Sequence, residues 1–123
     1  MADEIVWGKS LGRALAQAQK EDKLVLAFFF SQACEACMKM NKDTLNDDSV
    51  REHITRYFVP VQYESGIDSE QFMRFNITAK PAMLVLDSVG NEIFRKIGFF
   101  EPAMFIEKLE KARKKAACKA SHQ

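Results

Sequence analysis

The apolar run from Leu24 to Phe30 constrains the fold more than any other part of the sequence. It is bounded by polar residues on both sides and has no internal alternation of polar and apolar positions. A run of this kind predicts a strand that is covered on both faces, as in an α/β domain. It is far shorter than the ~20 residues of a membrane-spanning helix, so we expect no membrane partner.

The remaining elements follow from apolar spacing and from turn residues. Strand, long crossover and strand make a βαβ unit, whose two strands should be parallel. The sequence therefore predicts an α/β fold with a central mixed sheet of about four strands, βαβ then ββα, flanked by helices. The first half of the chain predicts a helix over 10–20 with Ser10 as N-cap, a strand over 24–30, and a helical segment over 34–56 that is broken near 46–49 and restarts at Val50. An edge strand over 58–63 contains Pro60, and a short helix opens at Asp68 in a capping box. A hairpin of strands over 82–86 and 92–97 and a last helix from Pro102 complete the predicted elements.

The length of 123 residues fits one domain. We expect that domain over residues 1–112, including the first helix, and a basic, disordered tail over 113–123. The net charge of +1 gives no field that would attract nucleic acid. The lysines and arginines of the tail lack interleaved aromatic residues and suit a solvated helix end better than a nucleic-acid site; they are Lys111, Arg113, Lys114, Lys115 and Lys119. We expect a monomer.

The motif Cys34-Glu35-Ala36-Cys37 stands directly after the predicted buried strand and at the start of a helix. Unpaired backbone N–H groups and the helix dipole favour negative charge at such a position. A second thiol one turn away can attack a mixed disulfide formed by the first, which is the chemistry of thiol–disulfide exchange. The alternatives are half of a zinc site or two inert buried thiols. Structural zinc takes four ligands, and His53, His122 and Cys118 are not spaced as a second pair.

These features together resemble the thioredoxin superfamily: an apolar strand, Cys34-x-x-Cys37, a later strand, and Lys80-Pro81 before a third strand. Phe29-Phe30-Ser31 and Phe58-Val59-Pro60-Val61 are similar to the thioredoxin-related branch, which includes domains like the C-terminal domain of the thiol:disulfide interchange protein DsbD. The resemblance implies that Cys34 is the exposed nucleophile and Cys37 the buried resolving thiol. It implies that Pro81 is a cis-proline facing the pair and that the backbone of Lys80 binds an extended substrate.

The sequence departs from thioredoxins at positions near the motif. Ala33 stands where a tryptophan usually precedes the first cysteine, which widens access beside Cys34. Glu35 and Ala36 replace Gly-Pro; the carboxylate suits a first helical turn but disfavours a neighbouring thiolate, an effect that Lys80 would offset. Phe28 stands in place of the buried aspartate that is thought to exchange protons with the resolving thiol. We expect Ala33, Glu35, Ala36 and Lys80 to line the substrate site.

The sequence thus predicts a thiol–disulfide oxidoreductase that reduces protein disulfides through Cys34 and Cys37. Its expected partners are protein disulfides and an upstream thiol or disulfide electron donor, with no cofactor and no metal. The alternative is a non-catalytic thioredoxin-fold binding module, or a copper or zinc carrier using the same pair with Met38 and Met40 as soft ligands, although both methionines suit a helical core face. Cys118 is expected to have no role in turnover. The expected compartment is the cytoplasm for the sequence as written, or the periplasm if Met1 replaces a removed signal peptide.

Overall fold

Strand β1 (Leu24–Phe30), the apolar run of the sequence, lies inside a four-stranded sheet in the computed structural model, which describes residues 4–121. It pairs in parallel with β2 (Phe58–Glu64) and antiparallel with β3 (Ala82–Leu86). Strand β4 (Glu92–Ile97) pairs antiparallel with β3, so the strand order is β2-β1-β3-β4. The predicted α/β class, mixed four-stranded sheet and parallel βαβ unit are confirmed.

Helices cover both faces of the sheet, which explains why a continuous apolar strand is stable at its centre. The helical elements are α1 (Leu11–Glu21), α2 (Glu35–Lys39), a short π-helix (Met40–Thr44), α3 (Asp48–Tyr57), α4 (Ser69–Arg74) and α5 (Pro102–Ser121). One face of the sheet packs against α1 and α4, and the other packs against α3, α5 and the π-helix.

Side-chain caps fix where two of these helices begin. The Ser10 hydroxyl accepts the Arg13 N–H at 3.2 Å, so the predicted cap of α1 is confirmed. The Asp47 carboxylate accepts the Val50 N–H at 3.1 Å and caps α3, which therefore begins two residues before the predicted restart at Val50. The predicted break near 46–49 is confirmed.

Pro60 lies on an edge strand, as predicted, because β2 is the first strand of the sheet. Its carbonyl oxygen accepts the Gly8 N–H at 3.0 Å, and the Gln62 N–H donates to the Gly8 oxygen at 3.0 Å. The segment before α1 therefore bonds to the strand edge at a place where proline has no N–H to offer.

Two sequence predictions differ from the structure. Residues 113–121, expected in a disordered tail, continue α5 because Ala116 packs on the core and the Arg113 guanidinium lies 3.5 Å from the centre of the Tyr57 ring. Asp68 does not form the expected capping box; its carboxylate instead accepts the Glu64 N–H at 2.8 Å and pairs with Lys9 at 2.5 Å. Within residues 4–121, every helix is too short or too polar to cross a membrane.

Candidate active site

Cys34 lies where β1 leads into α2, and it is the N-cap residue of that helix. Ser31 shapes the connecting turn: its carbonyl oxygen accepts the Cys34 N–H at 3.2 Å, and its hydroxyl accepts the Ala33 N–H at 3.2 Å. The Cys34 sulfur accepts the backbone N–H of Cys37 at 3.1 Å. A backbone donor and the positive end of a helix both stabilise negative charge on the atom that they face. The side chain is half-buried, so a substrate can reach it.

The second thiol, on Cys37, is fully buried. Burial raises the pKa of Cys37 to about 11, and the neighbouring Cys34 sulfur adds to the increase. The backbone of Ser31 and the charge of Lys80 act in the opposite direction. At neutral pH Cys37 therefore keeps its proton, and the two thiols of the motif are unequal in access.

The Lys80–Pro81 peptide bond is cis, the isomer that the resemblance implies. Pro81 is buried, and the Lys80 carbonyl oxygen lies 3.9 Å from the Cys34 sulfur. The Lys80 side chain is exposed, and its ammonium donates to the Ser65 hydroxyl at 3.3 Å. The structure thus brings Lys80 and Pro81 to the cysteine pair from a distant part of the chain.

The other three residues that were expected to line the site surround Cys34 in the turn and in the first turn of α2. Ala33 and Glu35 are exposed, and Ala36 is half-buried. The small side chain of Ala33 leaves the approach to Cys34 open on that side. Glu35 places a carboxylate at the start of α2, where acidic groups suit the helix dipole.

Phe28 is 3% exposed, and its side chain belongs to an aromatic group on one face of the sheet. Its ring centre lies 5.8 Å from that of Phe30 and 5.9 Å from that of Trp7. The position at which thioredoxins carry a buried acid therefore serves hydrophobic packing in this chain. Among the groups that act on the pKa of Cys37, the Ser31 backbone and Lys80 are those that favour loss of its proton.

The segment 98–101 between β4 and α5, which we call the 98–101 loop, also borders the site, although none of its residues was predicted to do so. The Gly98 N–H donates to the Pro81 carbonyl oxygen at 2.8 Å, so this loop lies beside the cis-proline. Gly98 has a φ of +108°, a conformation that favours glycine. Phe99 is half-buried, and the Lys39 ammonium lies 4.7 Å from the centre of its ring. Glycine followed by two phenylalanines directly after a predicted strand is the sequence signal that could have identified this loop.

Three of the residues considered as metal ligands lie on different helical elements: Met40 on the π-helix, His53 on α3 and Cys118 on α5. Met40 is 1% exposed, and its sulfur accepts the Phe100 N–H at 3.5 Å, as expected for a core methionine. His53 lies on α3 with its side chain 12% exposed, and Cys118 is exposed on α5. In the part of the chain that the structure describes, no group of three or more His, Cys, Asp or Glu side chains could hold a metal ion.

A cavity of about 640 Å³ lies at the opposite end of the sheet, where Leu24 begins β1. None of the predicted site residues lines it. Arg113 lines this cavity, stacks on Tyr57 and pairs with Glu110 at 2.6 Å. Lys111 pairs with Glu107 at 3.8 Å, so these two basic residues of α5 make contacts within the chain itself.

Comparison with protein families gives a match to the thioredoxin-like domain over residues 11–113. The thiol:disulfide interchange protein DsbD of Yersinia pestis is 31% identical over 105 residues, which cover 81% of this chain. The chain spans only 17% of the length of that relative.

Solved structures resemble the fold over nearly its whole length. A thioredoxin from Thermus thermophilus is 25% identical with a TM-score of 0.82, and the match covers 98% of this chain and 97% of that one. The reduced C-terminal domain of Neisseria meningitidis DsbD is 26% identical with a TM-score of 0.66, covering 83% of this chain and 93% of that domain.

Proposed function

The chain belongs to the thioredoxin-like domain family, and on that premise we propose that it is a thiol–disulfide oxidoreductase that reduces disulfides of protein substrates. Family membership and similarity to DsbD confirm the resemblance found in the sequence. The observation that carries the proposal is that the two thiols differ in exposure and in protonation. Cys34 is accessible at a helix N-terminus, whereas Cys37 is buried and protonated within the same turn.

The difference in exposure and protonation between the two thiols supports one order of the exchange steps. The Cys34 thiolate attacks one sulfur of a substrate disulfide, forms a mixed disulfide and releases the first substrate thiol. Cys37 then loses its proton and attacks the Cys34 sulfur, which releases the second substrate thiol and leaves a Cys34–Cys37 disulfide. Two electrons and two protons pass to the substrate, and an external dithiol returns the pair to its reduced state.

The residues around the pair bind the substrate in this proposal. The backbone of Lys80 pairs with an extended substrate segment, and Pro81 packs beside the disulfide being exchanged. Ala33, Glu35 and Ala36 form the rim on the other side of Cys34. The exposure of Ala33, Glu35 and Lys80 and the closeness of the Lys80 oxygen to the Cys34 sulfur support these roles.

The partners implied are a protein disulfide and an upstream thiol or disulfide donor, and the chain acts as a monomer. The reductive direction is tested by equilibrating the pair with glutathione buffers. A potential well below that of the glutathione couple identifies a reductant, and a potential well above it identifies an oxidant or isomerase.

Insulin reduction in the presence of dithiothreitol tests the activity. The wild type should accelerate insulin precipitation, whereas Cys34→Ser should lower the rate to that of dithiothreitol alone. Cys37→Ser should accumulate a mixed disulfide through Cys34, visible by non-reducing electrophoresis. Cys118→Ser is the matched control and should behave as the wild type. Equal rates for the wild type and Cys34→Ser would exclude the proposed activity.

A further inference from the structure

The 98–101 loop contacts two other parts of the site, the cis-proline segment and the helical segment that follows the cysteines. Gly98 is hydrogen-bonded to Pro81, as described above, and Phe99 lies under the Lys39 ammonium from α2. Both backbone groups of Phe100 are also bound: its N–H donates to the Met40 sulfur at 3.5 Å, and its carbonyl oxygen accepts the Thr44 hydroxyl at 2.6 Å. The loop is therefore held between the cis-proline and the helical segment that carries the cysteines.

Thr44 makes the shortest of these contacts, and it is fully buried, with 0% exposure. A buried hydroxyl needs a partner, and here that partner is the Phe100 carbonyl oxygen. The residue closes the π-helix, whose wider turn includes a hydrogen bond from the Leu45 N–H to the Met40 oxygen at 2.9 Å. Met40 and Thr44 thus meet the same loop residue from the two ends of this turn.

The contacts that hold the 98–101 loop bear on substrate binding because Phe99 follows the residue that is bonded to Pro81. Gly98 is bonded to the residue that follows Lys80, and the Lys80 oxygen lies 3.9 Å from the Cys34 sulfur. Ala33 offers no large apolar surface next to Cys34. Phe99, half-buried on the loop that is bonded to Pro81, packs against the core and leaves part of its aromatic ring accessible next to the cis-proline segment.

We propose that Phe99 is the aromatic substrate contact of this site and that Thr44 is the positioning residue that holds it there through the Phe100 carbonyl. The inference rests on the proposed function. It specifies the substrate class further, as polypeptides with an apolar side chain next to the cysteine of the disulfide. A small disulfide that reaches Cys34 without touching the loop does not depend on either residue.

Kinetics with two disulfides test this inference, using insulin as the polypeptide and 5,5′-dithiobis(2-nitrobenzoate) as the small disulfide. Phe99→Ala and Thr44→Val should each raise the KM for insulin about two- to tenfold, the usual range for one aromatic contact. The insulin kcat and the rate with the small disulfide should change by less than about twofold. Thr44→Ser keeps the hydroxyl and should restore the wild-type KM. The double variant should match Phe99→Ala alone, because Thr44 acts through Phe99.

The controls separate this inference from the proposed function and from loss of folding. Thr55→Val removes an exposed hydroxyl bonded within α3 and should leave all rates unchanged. All variants are assayed below their unfolding transitions, as monitored by circular dichroism. An unchanged insulin KM, an additive double variant, or an equal loss with the small disulfide overturns the inference while Cys34-dependent activity stands. Insulin reduction that does not depend on Cys34 overturns the proposed function and this inference together.

Discussion

The two sulfurs of the motif lie three positions apart but in different surroundings. Cys34 caps α2 at the surface and accepts an N–H, whereas Cys37 lies beneath that turn, where burial disfavours its thiolate. Phe28 gives no carboxylate to draw the proton away, and the Ser31 backbone and Lys80 only partly oppose the effect of burial. In the proposed mechanism, deprotonation of Cys37 is therefore the demanding step in releasing a bound substrate.

This difference predicts selective alkylation of the reduced protein. With a pKa of about 11, only a fraction on the order of 10⁻³ of Cys37 is thiolate at pH 8, and iodoacetamide should modify Cys34 well before it. Trypsin leaves both cysteines on one peptide, from Leu24 to Lys39, so fragmentation mass spectrometry is needed to locate the label. Labelling of Cys37 should rise steeply as the pH approaches 11. Equal labelling of both residues at pH 8 would contradict the assignment.

At the level of elements, the helices and strands that could be predicted are those marked by a pattern in their own stretch of sequence. An apolar run and a cysteine motif at a helix start indicate β1 and α2 without knowledge of distant contacts. The cis isomer of the Lys80–Pro81 bond was implied by the family resemblance and not by a local signal. The π-helix could not be predicted, because its wide turn accompanies contacts with Phe100, which is 56 positions from Thr44. The capping box at Asp68 failed for the same reason, since Lys9, 59 positions away, pairs with that carboxylate.

The contact between α3 and α5 holds His53 in surroundings that disfavour its protonation. Its ring packs on Tyr57 and Phe58, with centroids 5.0 Å and 6.2 Å away. Burial lowers the pKa of His53, and Arg113 and Arg56 lower it further, while Glu110 at 3.8 Å opposes them. The unfolded chain therefore takes up this proton first.

The stability that neutral His53 provides should accordingly be lost as pH falls below about 6.5, the ordinary value for histidine. We expect the wild type to lose more free energy of unfolding between pH 7.5 and pH 5.5 than His53→Phe, which keeps an aromatic ring and cannot titrate. Urea unfolding at both pH values measures the difference. The same pH dependence in both proteins would show that His53 does not carry this effect.

At the level of the whole molecule, the sheet separates two apolar clusters, and α5 closes the one that lies under the cysteine-bearing helical segment. Phe105, Leu109 and Ala112 supply its buried face. Residues 113–123 are mostly basic residues or residues with small side chains, and such a composition, considered alone, favours a solvated tail. The contacts of Arg113 with Tyr57 and of Ala116 with the core are not visible in that composition, and they extend the folded unit beyond Ala112.

Truncation after Ala112 should therefore destabilise the domain without abolishing its fold. Losing the cation–π contact of Arg113 and the packing of Ala116 should lower the free energy of unfolding by roughly 1–3 kcal/mol. The urea midpoint of the truncated chain measures this loss, and Arg113→Ala should reproduce part of it. Lys114→Ala with Lys115→Ala is the matched control, because both side chains are exposed in the same segment. An unchanged midpoint after truncation would mean that residues 113–123 contribute nothing to the folded domain and that its boundary lies at Ala112.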